Sequence, residues 1–242
     1  MPEPLLTRYL QPLLAGRRAE CFSLVRDALQ QGRNASDLIQ EVVWPAMTQV
    51  DRLFRDDRIN TAIENLATRI NRTIADQLQT ALPSGPPRGR RVLITCAAGE
   101  NEELGAQMVA DLFQADGWEV YFLGGGVPQD EIATLVGQLR PQLMVIFGTQ
   151  PTGVPGCKAL IDEIRHLGVV PHMNIVVSGG VFNRADGLWN EVGADRFVST
   201  AEGLIELANH LGPRDPNTVR SLIVKKRKRK RKGQPTPAVV AS

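Results

Sequence analysis

The sequence predicts an α/β protein, a four-helix bundle followed by a five-stranded parallel sheet covered by helices. Three observations carry this prediction. Apolar residues recur at helical spacing through residues 1–82. Residues 83–90 are rich in proline and glycine and break the pattern, as a linker would. From 91 to 212, short apolar runs alternate with amphipathic segments, the mark of strands joined by helices in a parallel sheet.

The first two helices are predicted from the stripes Leu5, Leu6, Tyr9, Leu10, Leu13 and Leu14, then Cys21, Phe22, Leu24, Val25 and Leu29. Asn34-Ala35-Ser36-Asp37 looks like a helix start, and Ile39 through Phe54 continue the stripe. Arg55-Asp56-Asp57-Arg58 is a polar turn, and a fourth helix is predicted from Asn60 to Leu82. Short connections make these a bundle. Strands are then expected at Val92–Cys96, Glu119–Leu123, Leu143–Phe147, Asn174–Ser178 and Asp195–Val198. Helices are expected at Leu104–Asp116, Asp130–Gln138, Gly156–Leu167 and Ala201–Leu211. This order is Rossmann-like (flavodoxin-like). Residues 213–242 hold prolines and a basic run and are expected to form a disordered tail.

Composition excludes several classes of function. Aromatics are 5% of the chain, too few for a base-stacking surface. No run of eighteen apolar residues spans a membrane. Met1-Pro2-Glu3-Pro4 does not open a signal peptide. Cys21, Cys96 and Cys157 are scattered and odd in number, which suits reduced thiols in a cytoplasm and gives no zinc spacing. Cys96 and Cys157 have no neighbouring histidine in sequence, so a thiol nucleophile is not expected. The net charge of +2 hides an asymmetry. Residues 225–232 read KKRKRKRK, and the remaining 20 basic residues face 26 acidic ones.

In doubly wound sheets, ligands sit beyond the carboxyl ends of the strands. That selects the loops at 97–104, 124–128, 148–153, 178–183 and 199–201, four of which contain glycine. Glycine lets a ligand approach the backbone, although strand-to-helix turns also use it. The run Gly124-Gly125-Gly126-Val127-Pro128 lacks the Lys-Ser/Thr ending of a nucleotide P-loop. Ser178 is suited either to a ligand contact or to capping a turn. Trp44, Trp118 and Trp189 read as core or interface residues.

The first loop, Gly99-Glu100-Asn101-Glu102-Glu103-Leu104-Gly105, resembles the Asp-x-His-x-x-Gly or Glu-x-His-x-x-Gly motif of cobalamin (vitamin B12)-binding domains. Those domains occur in methionine synthase and in the light-responsive cobalamin-dependent repressors. Glu100 stands for the acid, Glu102 for the histidine and Gly105 for the glycine. Gly148-Thr149-Gln150 occupies the place of the family's Ser-x-Leu or Ser-x-Thr, and Gly179-Gly180 match its Gly-Gly after the fourth strand. The N-terminal helices are similar to the helical cap of the repressors. Phe54 holds the place of the cap tryptophan, Glu64 that of a glutamate and Asn65 that of a histidine. The resemblance covers about residues 5–211 and includes neither a DNA-binding nor a methyltransferase domain.

The resemblance implies a corrin sandwiched between cap and sheet, with Gly125, Val127, Gly148, Thr149, Gln150, Ser178, Gly179 and Gly180 around it. It also implies cobalt ligation by the loop histidine, tuned by the neighbouring acid. Glu102 cannot reproduce that bond, since a carboxylate is a hard oxygen donor. Glu100, Glu102 and Glu103 should repel one another. Position 55, which supplies an upper ligand in the repressors, is Arg55. The three histidines, His166, His172 and His210, are expected far from the loops at the carboxyl edge.

The function expected is therefore that of a non-catalytic cobalamin-binding sensor or adaptor, working without a histidine lower ligand. Its expected setting is cytoplasmic, its partner a regulatory protein or a second copy of itself. The alternatives are a corrinoid carrier that passes methyl groups for a separate methyltransferase, a site for another tetrapyrrole, or a cofactor-free scaffold. The run from Lys225 to Lys232 suits nucleic acid without sequence preference, an acidic surface, or this chain's own acidic body.

Overall fold

The computed structural model describes residues 3–99 and 103–217. The four predicted helical runs are present as α1 (Leu5–Leu14), α2 (Arg18–Gln30), a composite third run and α5 (Thr61–Gln79). The third run begins as α3 (Ala35–Leu38), widens into a π turn over Ile39–Val43 and continues as α4 (Trp44–Arg55). Helical spacing alone does not reveal the π turn. Pro45 has no N–H to donate, and its ring crowds the carbonyl four residues back, so the ladder opens beside it. The Trp44 N–H accordingly reaches back five residues to the Ile39 carbonyl. Asn60 caps α5, its Oδ1 accepting from the Ile63 N–H at 3.0 Å. That helix ends at Gln79, one turn short of the expected Leu82.

Tyr9, Leu13, Cys21, Leu38, Val43 and Ile74 are buried between these helices. Inside this apolar core the Tyr9 hydroxyl donates to Asn71 Oδ1 at 2.7 Å, which pairs a buried donor with a buried acceptor. Burial pushes the Tyr9 phenol upward, so it stays a neutral donor. The segment after α5 crosses the turn at the end of α6 (Leu104–Ala115), where the Gly85 N–H donates to the Ala115 carbonyl at 2.7 Å.

Five parallel strands make up the sheet: β1 (Arg91–Cys96), β2 (Glu119–Gly124), β3 (Leu143–Phe147), β4 (Asn174–Ser178) and β5 (Arg196–Phe197). Their order is β2-β1-β3-β4-β5, all neighbours parallel. The predicted fold class is therefore the observed one. β3 and β4 are buried along their whole length, which is why they read as unbroken apolar runs. Alternate residues face opposite layers. Val92, Ile94, Val145 and Phe147 pack with α6 and α11 (Ala201–His210). Leu93, Met144, Ile146 and Val177 pack with α7 (Gln129–Leu139) and α8 (Val154–Leu167). The first of these layers is continuous with the helical cap, so α6 lies between sheet and bundle.

Two short helices are not legible in the sequence, α9 (Gly180–Arg184) and α10 (Leu188–Glu191). Both are too short to show a period. β5 is also shorter than the expected Asp195–Val198. The expected disordered tail lies outside the described residues from 218 onward.

Candidate ligand-binding cleft

The strand order reverses between β1 and β3, and a ligand crevice is expected at their carboxyl ends. A cleft of about 410 Å³ lies there, between the sheet loops and the cap helices α4 and α5. Its apolar wall is Trp44, Met47, Val50, Leu104 and Phe147. The Trp44 ring meets Phe147 edge-on, with centroids 6.5 Å apart and planes at 71°. Thus the end of β3 touches the start of α4 across the cleft.

The cap contributes two helical stripes. On α4, Trp44, Met47, Thr48, Asp51 and Arg55 share one face. On α5, Glu64, Thr68 and Arg72 share another, with Asn65 and Arg69 beside them. Arg72 Nη1 donates to Gln107 Oε1 at 3.1 Å, and Gln107 Nε2 donates to Asp76 Oδ1 at 2.7 Å. This chain of bonds ties α5 to α6 at one rim. At the other rim, Arg184 Nη2 donates to the Thr149 carbonyl at 2.6 Å, and Nη1 lies 3.7 Å from Asp51. Asp51 also pairs with Arg55 at 2.9 Å. Partial burial and then the Asp51 charge raise the Glu64 carboxyl above its ordinary value.

The floor is backbone. Gly179 holds φ +100, and a Cβ there would stand 2.4 Å from the Gly148 carbonyl oxygen. Only glycine allows the loops after β3 and β4 to touch in this way. The Val181 N–H donates to the same Gly148 oxygen at 3.1 Å, and the Gly148 N–H donates to the Ser178 carbonyl at 3.0 Å.

Of the residues singled out from sequence, Glu64, Asn65, Gly105, Thr149, Gly179 and Gly180 line the cleft. Glu100 and Glu102 lie outside the described residues. The other six sit elsewhere. Phe54 is half-buried near the end of α4 and does not line the cleft, although it shares a helix face with Val50 and Met47, which do. Gly125 lies just past β2 at the sheet edge, and its N–H donates to Glu103 Oε1 at 2.6 Å. Val127 packs against the α7 and α8 layer. Gly148 is covered by Val181 and Phe182, and Gln150 is exposed. Ser178 is fully buried, its hydroxyl donating to the Val198 carbonyl at 2.7 Å. It therefore fastens β4 to the segment after β5.

Trp44, expected in a core or interface, packs against the core between cap and sheet and also lines the cleft. Arg55, Arg69, Arg72 and Arg184 also reach it, and no sequence motif marks the last three. None of the chain's three histidines lines the cleft. His166 is in the last turn of α8, and His210 ends α11. His172 Nδ1 is 3.1 Å from the Arg214 carbonyl at the opposite sheet edge. Cys157 is buried and its thiol is pushed up to about 12, so it stays protonated at neutral pH.

Residues 5–79 and 90–208 each match a family model described as a B12 binding domain. Dimethylamine corrinoid protein 1 of Methanosarcina mazei is 20% identical, over 86% of this chain and 96% of that protein. The HTH-type transcriptional repressor CarA of Myxococcus xanthus is 30% identical over 64% of this chain, which spans 52% of the repressor. The structure of the Methanosarcina barkeri monomethylamine corrinoid protein superposes with a TM-score of 0.77 at 18% identity, covering 85% of this chain and 97% of that one. That likeness is one of fold. With both halves of the chain matched in order, this protein belongs to the B12-binding domain family.

Proposed function

We propose that this chain holds a corrinoid in the cleft between cap and sheet and presents it to a separate protein. The observation that carries the proposal is the cleft itself, with an aromatic and aliphatic wall, a bare backbone floor and a polar rim.

The residues present fit such a group. A flat macrocycle takes apolar contact on its faces, which Trp44, Met47, Leu104 and Phe147 offer. The backbone at Gly105, Gly179 and Gly180 permits close approach from the sheet side. The rim residues Asn65, Thr68, Arg69 and Arg72 offer donors to the amide groups on a corrinoid's edge. When bound, a corrinoid supplies redox-active cobalt that exchanges one-carbon groups. No histidine of this chain lines the cleft, so packing and edge contacts hold the group. The cleft's other residues orient it and keep water from the covered face.

The carrier form is supported by relatives named as corrinoid proteins, matched over nearly their whole length. In that form the chain supplies the group and a separate methyltransferase performs the chemistry. The second form, a regulatory sensor or adaptor, draws on the lack of a histidine in the cleft and on the repressor among the relatives. One experiment separates them. The purified chain is mixed with methylcobalamin, desalted and examined by ultraviolet–visible spectroscopy. Retained corrinoid absorbance is expected, and its absence would overturn the proposal. Methyl loss from the retained group on adding a corrinoid-dependent methyltransferase and its acceptor supports the carrier. Retention without any transfer supports the sensor.

A further inference from the structure

The cap wall of the cleft is not uniform in charge. On its α4 side the charges answer one another. Arg55 lies 2.9 Å from Asp51, and Arg184 stands 3.7 Å from the same carboxylate while donating to the Thr149 carbonyl. The α5 side differs. Asn65, Thr68, Arg69 and Arg72 fall at helical spacing, so they form one stripe of donors, and all four line the cleft. Among the described residues, Arg69 makes no ion pair. Arg72 donates to the neutral Gln107 amide at 3.1 Å and makes no ion pair either.

The nearby carboxylates do not answer these two arginines. Glu64 lies on the same helix, more than a turn before Arg69, and pairs with neither. Asp76 accepts from Gln107 Nε2 at 2.7 Å. Glu103 is turned to the Gly125 N–H at the sheet edge, 2.6 Å away. The cleft lining thus sets four arginines, Arg55, Arg69, Arg72 and Arg184, against two carboxylates, Asp51 and Glu64. Outside residues 225–232 the chain has the opposite balance, 20 basic residues to 26 acidic ones. Cations gathered in a recess of an acidic body draw anions to that recess.

We infer that Arg69 and Arg72 form a subsite for an oxyanion, a phosphate or carboxylate group on the edge of the bound macrocycle. This subsite rests on the corrinoid reading of the cleft and narrows its ligand to one with an acidic edge group. Residues three apart on a helix hold their Cβ atoms about 5–6 Å from each other. Two guanidinium groups so placed can close on one oxyanion, whose oxygens accept several N–H bonds at once. Neutral amides on the ligand need no such pair, and Asn65 and Thr68 on the same stripe supply neutral donors for them. The apolar wall of Trp44, Met47 and Leu104 keeps water from one side, which strengthens the attraction of charges within the cleft. Two kinds of corrinoid carry such an anion. A complete one has a phosphodiester in its nucleotide arm, and an incompletely amidated one has a free carboxylate.

The test is equilibrium dialysis of the full-length chain with cobalamin, cobyric acid and cobinamide. Cobalamin has the phosphodiester and no free carboxylate. Cobyric acid has a carboxylate and no phosphate, and cobinamide has neither. The parent should bind one of the two anionic ligands roughly tenfold more tightly than cobinamide, and the preferred one identifies the group. That preference should shrink as salt is added. A double variant, Arg69→Gln with Arg72→Gln, should lose it, while Arg69→Lys with Arg72→Lys should keep part of it. The ratio of affinities is the readout, so a general loosening of the cap through Gln107 weakens all three ligands and leaves the ratio unchanged. Equal binding of all three by the parent, or an intact preference in the Gln variant, would overturn the subsite and leave the corrinoid reading standing. Retention of none of the three would overturn both.

Discussion

Trp44 and Phe147 form the aromatic contact that joins cap to sheet inside the cleft, edge-on at 6.5 Å. Such pairs contribute about 0.5–1.5 kcal/mol beyond their buried area. Trp44→Ala should therefore weaken corrinoid retention by roughly tenfold, while Trp44→Phe should stay within a few-fold of the parent. Equilibrium dialysis with cobalamin gives the comparison. Equal binding by Trp44→Ala would show that the apolar wall does not hold the ligand.

Gly179 allows a separate test of the floor. Its φ of +100 is strained for any side chain, and a Cβ would collide with the Gly148 oxygen. Gly179→Ala should cost about 2–4 kcal/mol, read as a lower urea midpoint at unchanged slope. Gly126 has φ +75 and nothing within 4 Å of its would-be Cβ. Gly126→Ala isolates the backbone cost and should lose only about 1 kcal/mol. If both variants lose the same amount, loop-to-loop contact is not what demands glycine at 179.

Asp111 on α6 makes stability depend on pH. Among the described residues its Oδ2 has no partner, and burial, reinforced by Asp76, raises its carboxyl from 3.8 to about 6. The folded protein thus keeps a proton that the unfolded chain releases near pH 3.8. Stability held by that proton is lost as pH climbs from there through about 6. Asp111→Asn should be more stable than the parent at pH 7 by about 1 kcal/mol, allowing for solvent screening of a half-exposed group. The two should converge near pH 4. Urea unfolding across this range decides it, and a gap independent of pH would exclude the carboxyl as its source.

Asp195 is the hub of an anchor at the amino ends of the strands, holding Arg165, Arg214 and the Ile175 N–H. Removing it strands two guanidinium groups in a mostly buried place. Asp195→Ala should cost about 3 kcal/mol, and Arg214→Ala clearly less, because Arg165 still pairs with the carboxylate. Thermal melts of the two variants rank them. The reverse order would show that the Arg214 side-chain bond to the Pro171 carbonyl matters more than the ion pair.

The fold was legible because strand and helix periods differ, and β3 and β4 keep the bounds read from the sequence. Loop motifs located Gly105, Thr149, Gly179 and Gly180 because backbone geometry demands particular residues in order along the chain. The cap was harder. Phe54 matched by its distance from Glu64 and shares a helix face with Met47 and Val50, yet it lies near the end of α4 and does not line the cleft. Trp44 shows the same limit, since an apolar stripe does not say which part of it opens onto a cleft. Arg69 and Arg72 on α5 and Arg184 on α9 reach the cleft from opposite rims, which only tertiary packing sets facing each other.

The π turn at Ile39–Val43 resets the angular phase of a single helix. Up to and through the turn, Leu38, Ile39, Val42 and Val43 point into the bundle. Downstream, Trp44, Met47, Thr48, Asp51 and Arg55 point into the cleft. Each residue added to or removed from an α-helix turns every later residue by about 100°. A one-residue deletion within this turn would therefore rotate the lower half of the helix as a rigid screw, carrying the whole cleft-facing stripe away while leaving its composition untouched. Among homologues, an alignment gap at this point should mark a change of ligand more reliably than any single substitution in the stripe.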